Sequence, residues 1–468
     1  MSAIASRIII LFLFTIFNPI FKIIVIKLSH TSFQLVSDTF ISKRTIKILL
    51  ILIYSNLSLQ KSMVHKTVLC VIVDCLILSS FLPNIGFDLV HKVNAQLGHQ
   101  TNVLFKGVNM KGLYTSTIHK NLSSIPFPDN YYSDSFKLIK SAGMNHIRYV
   151  LYWQAYENDP QSFIEELETV ASLADKWGLH VIYDNHQFHT SSWLDPVRGS
   201  GFPPSLFKDN MSYPFGSGGS PVNSSANQWW SNWWNHTITD NRGIDGWALQ
   251  IGFLKKVIET VQNHSSTLGY EILNEPQIQS ADQWEKIGKY NTIVANELRK
   301  ITNKTLVFDM TIPVVFHDSK INMTLGNIAK LLPENKNNIV FKISLYGIPT
   351  AGSYAEQKLN LLSGVAKITG VPLYIGEWND VDREERISVE GKTVKEINQE
   401  ISDLNQTEAD IMTKKFKDIG VWGWAFWNWS YLPDSSPVFN LISVNRSGDM
   451  ATTKYFDILK HAVANTVT

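Results

Sequence analysis

The chain has 468 residues, of which 44% are hydrophobic and 18% charged, and its formal net charge is +1 at pH 7. This composition excludes a globally disordered chain, and the near-zero charge gives no field that would favour nucleic acid as a partner. Aromatic residues make up 12% and include 14 Trp, and because flat rings stack on sugar rings as well as filling cores, carbohydrate is a candidate ligand.

Residues 1–95 differ from the rest of the chain and predict a hydrophobic leader. Three apolar runs follow one another there, at residues 8–26, 46–54 and 68–83, with basic flanks and few acids. The third run follows Met63 and Lys66 and precedes Val93 and Ala95, which suit the small-residue positions before a cleavage site. This pattern favours a signal peptide, with Met63 as an alternative start, over one or two membrane anchors. We expect residues 96–468 to form the mature catalytic domain, secreted or held at a membrane.

Both cysteines, Cys70 and Cys75, lie in this leader, so the mature domain is predicted to lack disulfides, thiol nucleophiles and cysteine-bound metals. Asn-X-Ser/Thr sequons are frequent instead. With export, they predict a glycoprotein, although an Asn- and Ser-rich chain also produces such patterns by chance. The sequons include Asn121, Asn210, Asn223, Asn235, Asn263, Asn303, Asn322, Asn405 and Asn445.

From about Gln96 onward, short apolar strands alternate with amphipathic helices. The pattern predicts eight strands, at residues 103–109, 146–152, 180–185, 269–273, 306–310, 339–346, 372–376 and 420–429. Ser133 is predicted to cap the first helix, and Gly143 and Gly178 to end the first two. Eight such units predict an α/β protein, a (β/α)8 TIM barrel. A doubly wound sheet is the alternative, which the lack of G-x-G-x-x-G spacing after the first strand disfavours.

Polar residues lie at or near the ends of several predicted strands, and in a (β/α)8 barrel these ends share one mouth. Two facing carboxylates are what glycoside hydrolysis requires, one as proton donor and one as nucleophile or base. Each residue has an ordinary alternative, such as a turn, a buried ion pair or a core position, but their coincidence at strand ends favours a site. In chain order they are Asn109, Arg148, His186, Asn274, Glu275, Tyr346, Glu377 and Trp427.

The motifs around these residues resemble glycoside hydrolase family 5, the cellulase-type retaining glycosidases of clan A. The resemblance covers residues 104–460, nearly all of the mature chain. It implies that Glu275 is the general acid/base and Glu377 the nucleophile. The motifs are "GMNHIRYVLYW", "VIYDNHQ", "GYEILNEP", "ISLYG", "LYIGEWN" and "WAFWNWS".

The resemblance also implies roles for the other residues of the mouth. Arg148 and Tyr346 would keep the nucleophile ionised and oriented. Asn274 would bond the sugar 2-hydroxyl, His186 would bind other sugar hydroxyls, and Trp427 would stack beneath the sugar that is cleaved.

One position departs from the family pattern. The family usually has His two residues before the tyrosine that ends strand six, and here that residue is Ser344. Either a small hydroxyl suffices, or His189 or His317 compensates, or the subfamily is atypical. The departure affects the prediction of the substrate more than that of the reaction.

Two insertions are predicted after strands three and seven. The first contains Trp193 and the pairs Trp229-Trp230 and Trp233-Trp234, which line a substrate cleft in one interpretation and form a small satellite core in the other. The second is charged and reads as a solvated helical excursion, with Asp380 or Asp382 bordering a sugar site as the alternative.

No cofactor is predicted. Asp184, His186 and His189 are close in sequence but do not have zinc-ligand spacing, and no other metal pattern is present. By family frequency the predicted function is an exported, monomeric endo-β-1,4-glucanase that acts on a polysaccharide or oligosaccharide. A β-mannanase, a glycolipid-directed glycosidase favoured by an uncleaved anchor, and a silent glycan-binding barrel are the alternatives.

Overall fold

The structure is a computed structural model that describes residues 8–11, 24–29, 32–36, 105–117, 130–196, 199–207, 222–310, 321–380, 404–430, 440–444 and 449–465. The chain divides into two compact units, Met1–His99 and Gln100–Thr468. Within these described ranges, no helix is both long and apolar enough to span a membrane.

The described part of the first unit is an antiparallel sheet of three strands, β1 (Ile8–Leu11), β2 (Ile24–Ser29) and β3 (Ser32–Val36). Ile8 pairs with Lys27 across the first two strands, and Ser29 pairs with Ser32 at the turn into the third. The first apolar run of the predicted leader therefore contributes to β1 and β2. The runs at 46–54 and 68–83 lie outside the described residues.

The second unit contains a closed barrel of eight parallel strands. Each strand pairs with its neighbours in chain order, and the last pairs with the first. The predicted (β/α)8 TIM barrel is confirmed, and every strand overlaps its predicted range. The strands are β4 (Phe105–Lys111), β5 (His146–Leu151), β6 (His180–Asn185), β7 (Thr267–Glu271), β8 (Thr305–Asp309), β9 (Ile339–Tyr346), β10 (Leu373–Asn379) and β11 (Gly423–Phe426).

Helices surround the barrel, and a hairpin of β12 (Ile442–Val444) and β13 (Met450–Thr452) precedes the last of them. The apolar faces of the helices and the outer faces of the barrel strands form the main hydrophobic core. The helices are α1 (Tyr131–Ser141), α2 (Trp153–Asn158), α3 (Pro160–Trp177), α4 (Val222–Trp234), α5 (Gly246–Val261), α6 (Gln283–Leu298), α7 (Leu325–Ala329), α8 (Tyr354–Thr369), α9 (Gln406–Ile419) and α10 (Lys454–Asn465).

The helix ends follow the sequence signals in most places. Gly178 ends α3 with a left-handed backbone at φ 60°, as predicted, and the Asp159 side chain caps the start of that helix through the Ser162 N–H. The prediction for Ser133 is wrong. Ser133 lies inside α1, which begins two residues earlier, and the N-cap residue is Asn130, whose side chain makes no capping hydrogen bond.

A small apolar cluster fills part of the barrel interior, separate from the main core. It consists of Ile182, Val307, Val340, Tyr374 and Ala425, and all five are fully or almost fully buried. We call this cluster the apolar plug. Because side chains alternate along a strand, the residue two positions further along each strand faces the same interior, one layer closer to the C-terminal mouth.

The Trp pairs of the first insertion join the main hydrophobic core, so they neither line a cleft nor form a separate satellite core. Helix α4 buries Trp229, Trp230, Trp233 and Trp234, with at most 2% of each residue exposed. The Trp229 ring stacks on Phe207 and on Trp233, with centroids 5.3 and 5.2 Å apart, and its neighbours reach α5 and α6. The second insertion lies outside the described residues from position 381 to 403.

Candidate active site

A layer of polar side chains lies directly above the apolar plug. Its charged groups pair with one another, because two cations face three carboxyl groups inside the barrel. The layer includes positions two residues beyond plug residues on the same strands, and its members are at most 3% exposed. We call this set the polar layer, and it consists of Asn109, Arg148, Asp184, Glu271, Asp309 and Lys342.

Glu377 reaches this layer through a β-bulge. Strands β9 and β10 pair residue for residue up to Ile375, and the register then shifts so that Glu377 pairs with Ser344. Gly376 is the extra residue, and Asn109 holds its carbonyl with a 2.9 Å hydrogen bond. Because alternate residues face opposite sides of a strand, the bulge turns Glu377 into the barrel instead of toward the helices.

The Glu377 carboxylate has fixed neighbours on both oxygens. Arg148 Nη1 donates to Oε1 at 3.0 Å, and the Tyr346 hydroxyl donates to Oε2 at 2.5 Å. Burial alone would raise the pKa of Glu377, but Lys342, 3.6 Å away, and Arg148 outweigh it and hold the pKa well below its usual range. Glu377 is therefore an ionised, oriented carboxylate with only 3% of the residue exposed.

Arg148 is fixed by a second acid, which the sequence analysis did not identify. Its Nε and Nη2 donate to both oxygens of Glu271 at 2.7 and 2.6 Å, and its Nη1 also reaches Asn109 at 2.7 Å. Burial lowers the pKa of Arg148, but Asp184 and Glu271 outweigh it and keep the pKa above its usual range. The guanidinium is a permanent charge with a fixed orientation.

Glu275 lies just beyond β7 in a backbone conformation that non-glycine residues rarely adopt, with φ 44°. Two side chains hold this backbone, since Asp309 accepts its N–H at 2.5 Å and Gln187 donates to its carbonyl at 2.8 Å. Its own carboxyl oxygen Oε1 makes no hydrogen bond to any described residue. The carboxyl group is thus placed by its backbone and keeps an oxygen available for proton transfer.

Asn274 connects the surroundings of Glu377 to those of Glu275, the residue that follows it in the chain. Its Oδ1 accepts from Arg148 at 2.8 Å and from Lys342 at 2.6 Å, which fixes the orientation of the amide. Its Nδ2 donates to the Gln187 carbonyl at 3.2 Å and lies 3.4 Å from His186 Nε2.

His186 lies between Asp184 and Trp427 at the mouth of the barrel. Its Nδ1 is 2.7 Å from Asp184 Oδ2, and its ring stacks on Trp427 with centroids 5.4 Å apart and an angle of 14°. Burial lowers the pKa of His186 to about 3 and raises that of Asp184 to about 7, although Arg148 opposes the latter shift. His186 is therefore a neutral imidazole at neutral pH.

The structure thus brings all eight predicted site residues to the mouth of the barrel, through the contacts given above. Their assigned roles stay predictions. Sequence reasoning missed Glu271, Asp309 and Lys342 as parts of this site. The signal was present, because each is a charged residue inside an otherwise apolar strand, where an unpaired charge would be costly.

The residue at the departure from the family pattern, Ser344, lies beside Lys342, with 3.0 Å between its hydroxyl and the ammonium. His189 is instead bonded to Asp195 at 2.8 Å, and His317 lies outside the described residues. In the described ranges no group of His, Cys, Asp and Glu side chains is arranged to hold a metal ion.

Comparison with known proteins extends these observations. Residues 105–431 match the sequence profile of the cellulase family, glycosyl hydrolase family 5. An endoglycoceramidase of Hydra vulgaris is 23% identical over 214 residues, which are 38% of this chain and 40% of that protein. The chain therefore spans less than half the length of this relative.

Two solved structures share the fold at 14% identity. A crystal structure of an endogalactoceramidase has a TM-score of 0.58, over 77% of this chain and 81% of that one. Endo-glycoceramidase II from Rhodococcus sp., in complex with an iminocyclitol, has a TM-score of 0.56, over 76% and 78%.

Proposed function

The chain belongs to glycosyl hydrolase family 5, and on that premise we propose that it cleaves a β-glycosidic bond with retention of configuration. It is a glycoside hydrolase that acts on O-glycosyl bonds. The observation that carries the proposed mechanism is the environment of Glu377, which Arg148 and Tyr346 hold as a charged, oriented carboxylate.

The reaction proceeds in two steps. The Glu377 carboxylate attacks C1 of the sugar while Glu275 gives its proton to the glycosidic oxygen, so the C1–O bond breaks and the aglycone leaves as an alcohol. Water then attacks C1 and gives a proton to Glu275, which releases the sugar and frees Glu377. The two inversions at C1 together retain the β configuration.

The substrate we propose is a glycolipid of the glycoceramide type. Its support is twofold. The named relatives are endoglycoceramidases or an endogalactoceramidase. In addition, two of the five exposed large hydrophobic residues in the described ranges, Tyr114 and Phe188, directly follow strand ends at the C-terminal face, where an apolar aglycone would pass. The match to the cellulase profile favours β-1,4-glucan as the second candidate.

The test is glycan release by the purified protein from lactosylceramide in detergent micelles, from soluble β-1,4-glucan and from mannan. We expect intact lactose from the glycolipid and at least a thousandfold loss in Glu377→Gln. Glu259→Gln, an exposed glutamate in the last turn of helix α5 and so at the end of the barrel opposite the mouth, is the matched control. Release from β-glucan alone would refute the glycolipid assignment and restore the glucanase.

Azide distinguishes the roles of the two carboxylates. In Glu377→Gly, azide takes the place of the nucleophile and should give an α-glycosyl azide from an activated β-glycoside. In Glu275→Ala, azide attacks the glycosyl-enzyme and should give the β-glycosyl azide. The opposite anomers would reverse the assignment.

We also propose that the chain is exported and glycosylated. The apolar runs of residues 1–95 support export. Five sequon residues whose side chains are described, at positions 235, 263, 303, 322 and 405, are exposed and therefore accessible to modification. Expression from Met1 and from Met63, followed by N-terminal sequencing of the secreted protein and digestion by an N-glycosidase, tests both points. A full-length, unglycosylated product inside the cell would contradict them.

A further inference from the structure

Lys342 is a fully buried cation in the middle of the apolar strand β9. A buried ammonium is costly unless it is paired, so its partners indicate what it does. It lies within 3.0 Å of three side-chain oxygens and within 3.6 Å of two more. The first three belong to Asn274, Asp309 and Ser344, and the other two to Glu271 and Glu377.

These partners link Lys342 to both glutamates of the proposed reaction, Glu275 and Glu377. Asp309 uses a single oxygen, Oδ2, to accept from Lys342 at 2.8 Å and from the Glu275 N–H at 2.5 Å. Asn274 precedes Glu275 directly in the chain, and Glu377 Oε1 is 3.6 Å from the same ammonium. Lys342 therefore connects the backbone that carries the acid/base to the nucleophile.

The stem of Lys342 also fits the β-bulge. A Cβ at Gly376 would lie 2.5 Å from Lys342 Cε and 2.6 Å from Cγ, closer than real contacts allow. The absence of a side chain at the bulge makes room for this stem, so the residue that turns Glu377 inward and the lysine that faces it are matched in shape.

We propose that Lys342 is a positioning residue of the glycosidase reaction, which provides Glu377 with a second fixed cation and, through Asp309, braces the backbone of Glu275. The inference rests on the proposed function, because it assigns a role in that reaction. Lys342 does not touch the reacting atoms. It acts through the two glutamates that do.

The charged groups around Lys342 set the direction of its effect. Arg148 is the other cation that faces Glu377, and we expect it to stay in place when Lys342 is removed, because Glu271 and Asn109 hold it. The carboxyl groups facing Lys342 are Asp309, Glu271 and Glu377. Asp184 and the neutral His186 are the other titratable groups nearby. Without the ammonium, the pKa of Glu377 rises, so the ionised nucleophile is lost at a higher pH.

The experiment compares the pH dependence of kcat/KM in wild type and Lys342→Met, with an activated aryl β-glycoside as substrate. The acidic limb reports the nucleophile of the free enzyme and should move up by at least about one pH unit. We expect kcat to fall at least about tenfold, with KM changed by less than about threefold, because sugar binding is not removed. Lys106→Met, a buried lysine near the other end of the barrel, is the control and should keep the wild-type limb.

A folded Lys342→Met protein with an unshifted acidic limb would overturn the proposal. If that protein does not fold, Lys342→Met combined with Asp309→Asn removes the pair together and keeps an acceptor for the Glu275 N–H, and its acidic limb must still rise.

A second measurement needs no substrate and separates this inference from the proposed function. Glu377→Gln is made in wild type and in Lys342→Met, and the Tm of all four proteins is measured at pH 7. If Lys342 stabilises the Glu377 carboxylate, Glu377→Gln lowers Tm more in wild type than in Lys342→Met, by at least about 2 °C. Equal effects would refute the role of Lys342 even if the enzyme hydrolyses glycosides, whereas an inactive wild type with unequal effects would refute only the proposed activity.

Discussion

Replacement of Trp229 by alanine tests whether the first insertion supports the fold or binds substrate. The Trp229 ring is fully buried and packs between Phe202, Phe207 and Trp233 at centroid distances of 4.6 to 5.3 Å. Removal of such a ring costs about 3–5 kcal/mol, because the transfer free energy is lost and a cavity remains. At roughly 2 cal/mol/K of unfolding entropy per residue, a barrel unit of this size loses about 4–6 °C of Tm.

The assay is scanning calorimetry together with kcat and KM at 25 °C. The folded Trp229→Ala protein should keep its KM, because the ring does not face the mouth. Trp193→Ala is the control, since Trp193 is only partly buried, with its ring 5.2 Å from that of Phe207, and should lower Tm less. An unchanged Tm with a raised KM would refute the core role of these tryptophans and return them to the cleft.

Three further outcomes are expected. Tyr346→Phe removes a charge-assisted hydrogen bond to Glu377, worth about 1.5–3 kcal/mol, so the acidic limb of kcat/KM should rise by about 1–2 pH units; an unmoved limb would contradict this. Glu166→Gln should lower the free energy of unfolding by about 2–4 kcal/mol in urea titrations, because the Glu166 carboxylate accepts three successive backbone N–H groups after β4; a loss below about 0.5 kcal/mol would be inconsistent with that role. Burial lowers the pKa of His264, but its bond to Asp175 outweighs burial and raises the pKa, so the stabilisation from this pair is complete below about pH 6.5 and is lost as the pH rises. His264→Gln should therefore reduce stability at pH 6 by at most about 1 kcal/mol, seen as a lower Tm, and should have less effect at pH 9. A Tm difference independent of pH would count against the pair.

The sequence predicted the architecture well because the strand and helix periods differ and because glycines such as Gly178 mark helix ends. It also placed the predicted site residues at one mouth, since parallel barrel strands all end there. It could not predict how the carboxylate of Glu377 is oriented. That orientation depends on the extra residue Gly376, and a bulge is a property of the pairing between two strands and not of either sequence alone.

The sequence was least informative where a residue type has two physical uses. Tryptophans such as Trp230 suit a cleft or a core equally by composition, and only their packing against neighbouring helices decided for the core. Charges inside apolar strands, such as Lys342, signalled that partners exist, but the partners come from strands far away in the chain. For that reason the polar layer could be suspected from the sequence but not assembled.

The apolar plug has a consequence for how the site exchanges protons with solvent. Its five buried residues close the barrel beneath the polar layer. Four have hydrocarbon side chains, and the hydroxyl of the fifth, Tyr374, lies 2.7 Å from His146 Nε2, so the plug's one polar group is already bonded to His146. Protons therefore reach the carboxyl groups of the layer from one side only, through the mouth. A sugar bound in the mouth narrows that route, so the buried groups of the layer should exchange protons with solvent more slowly in the complex than in the free enzyme.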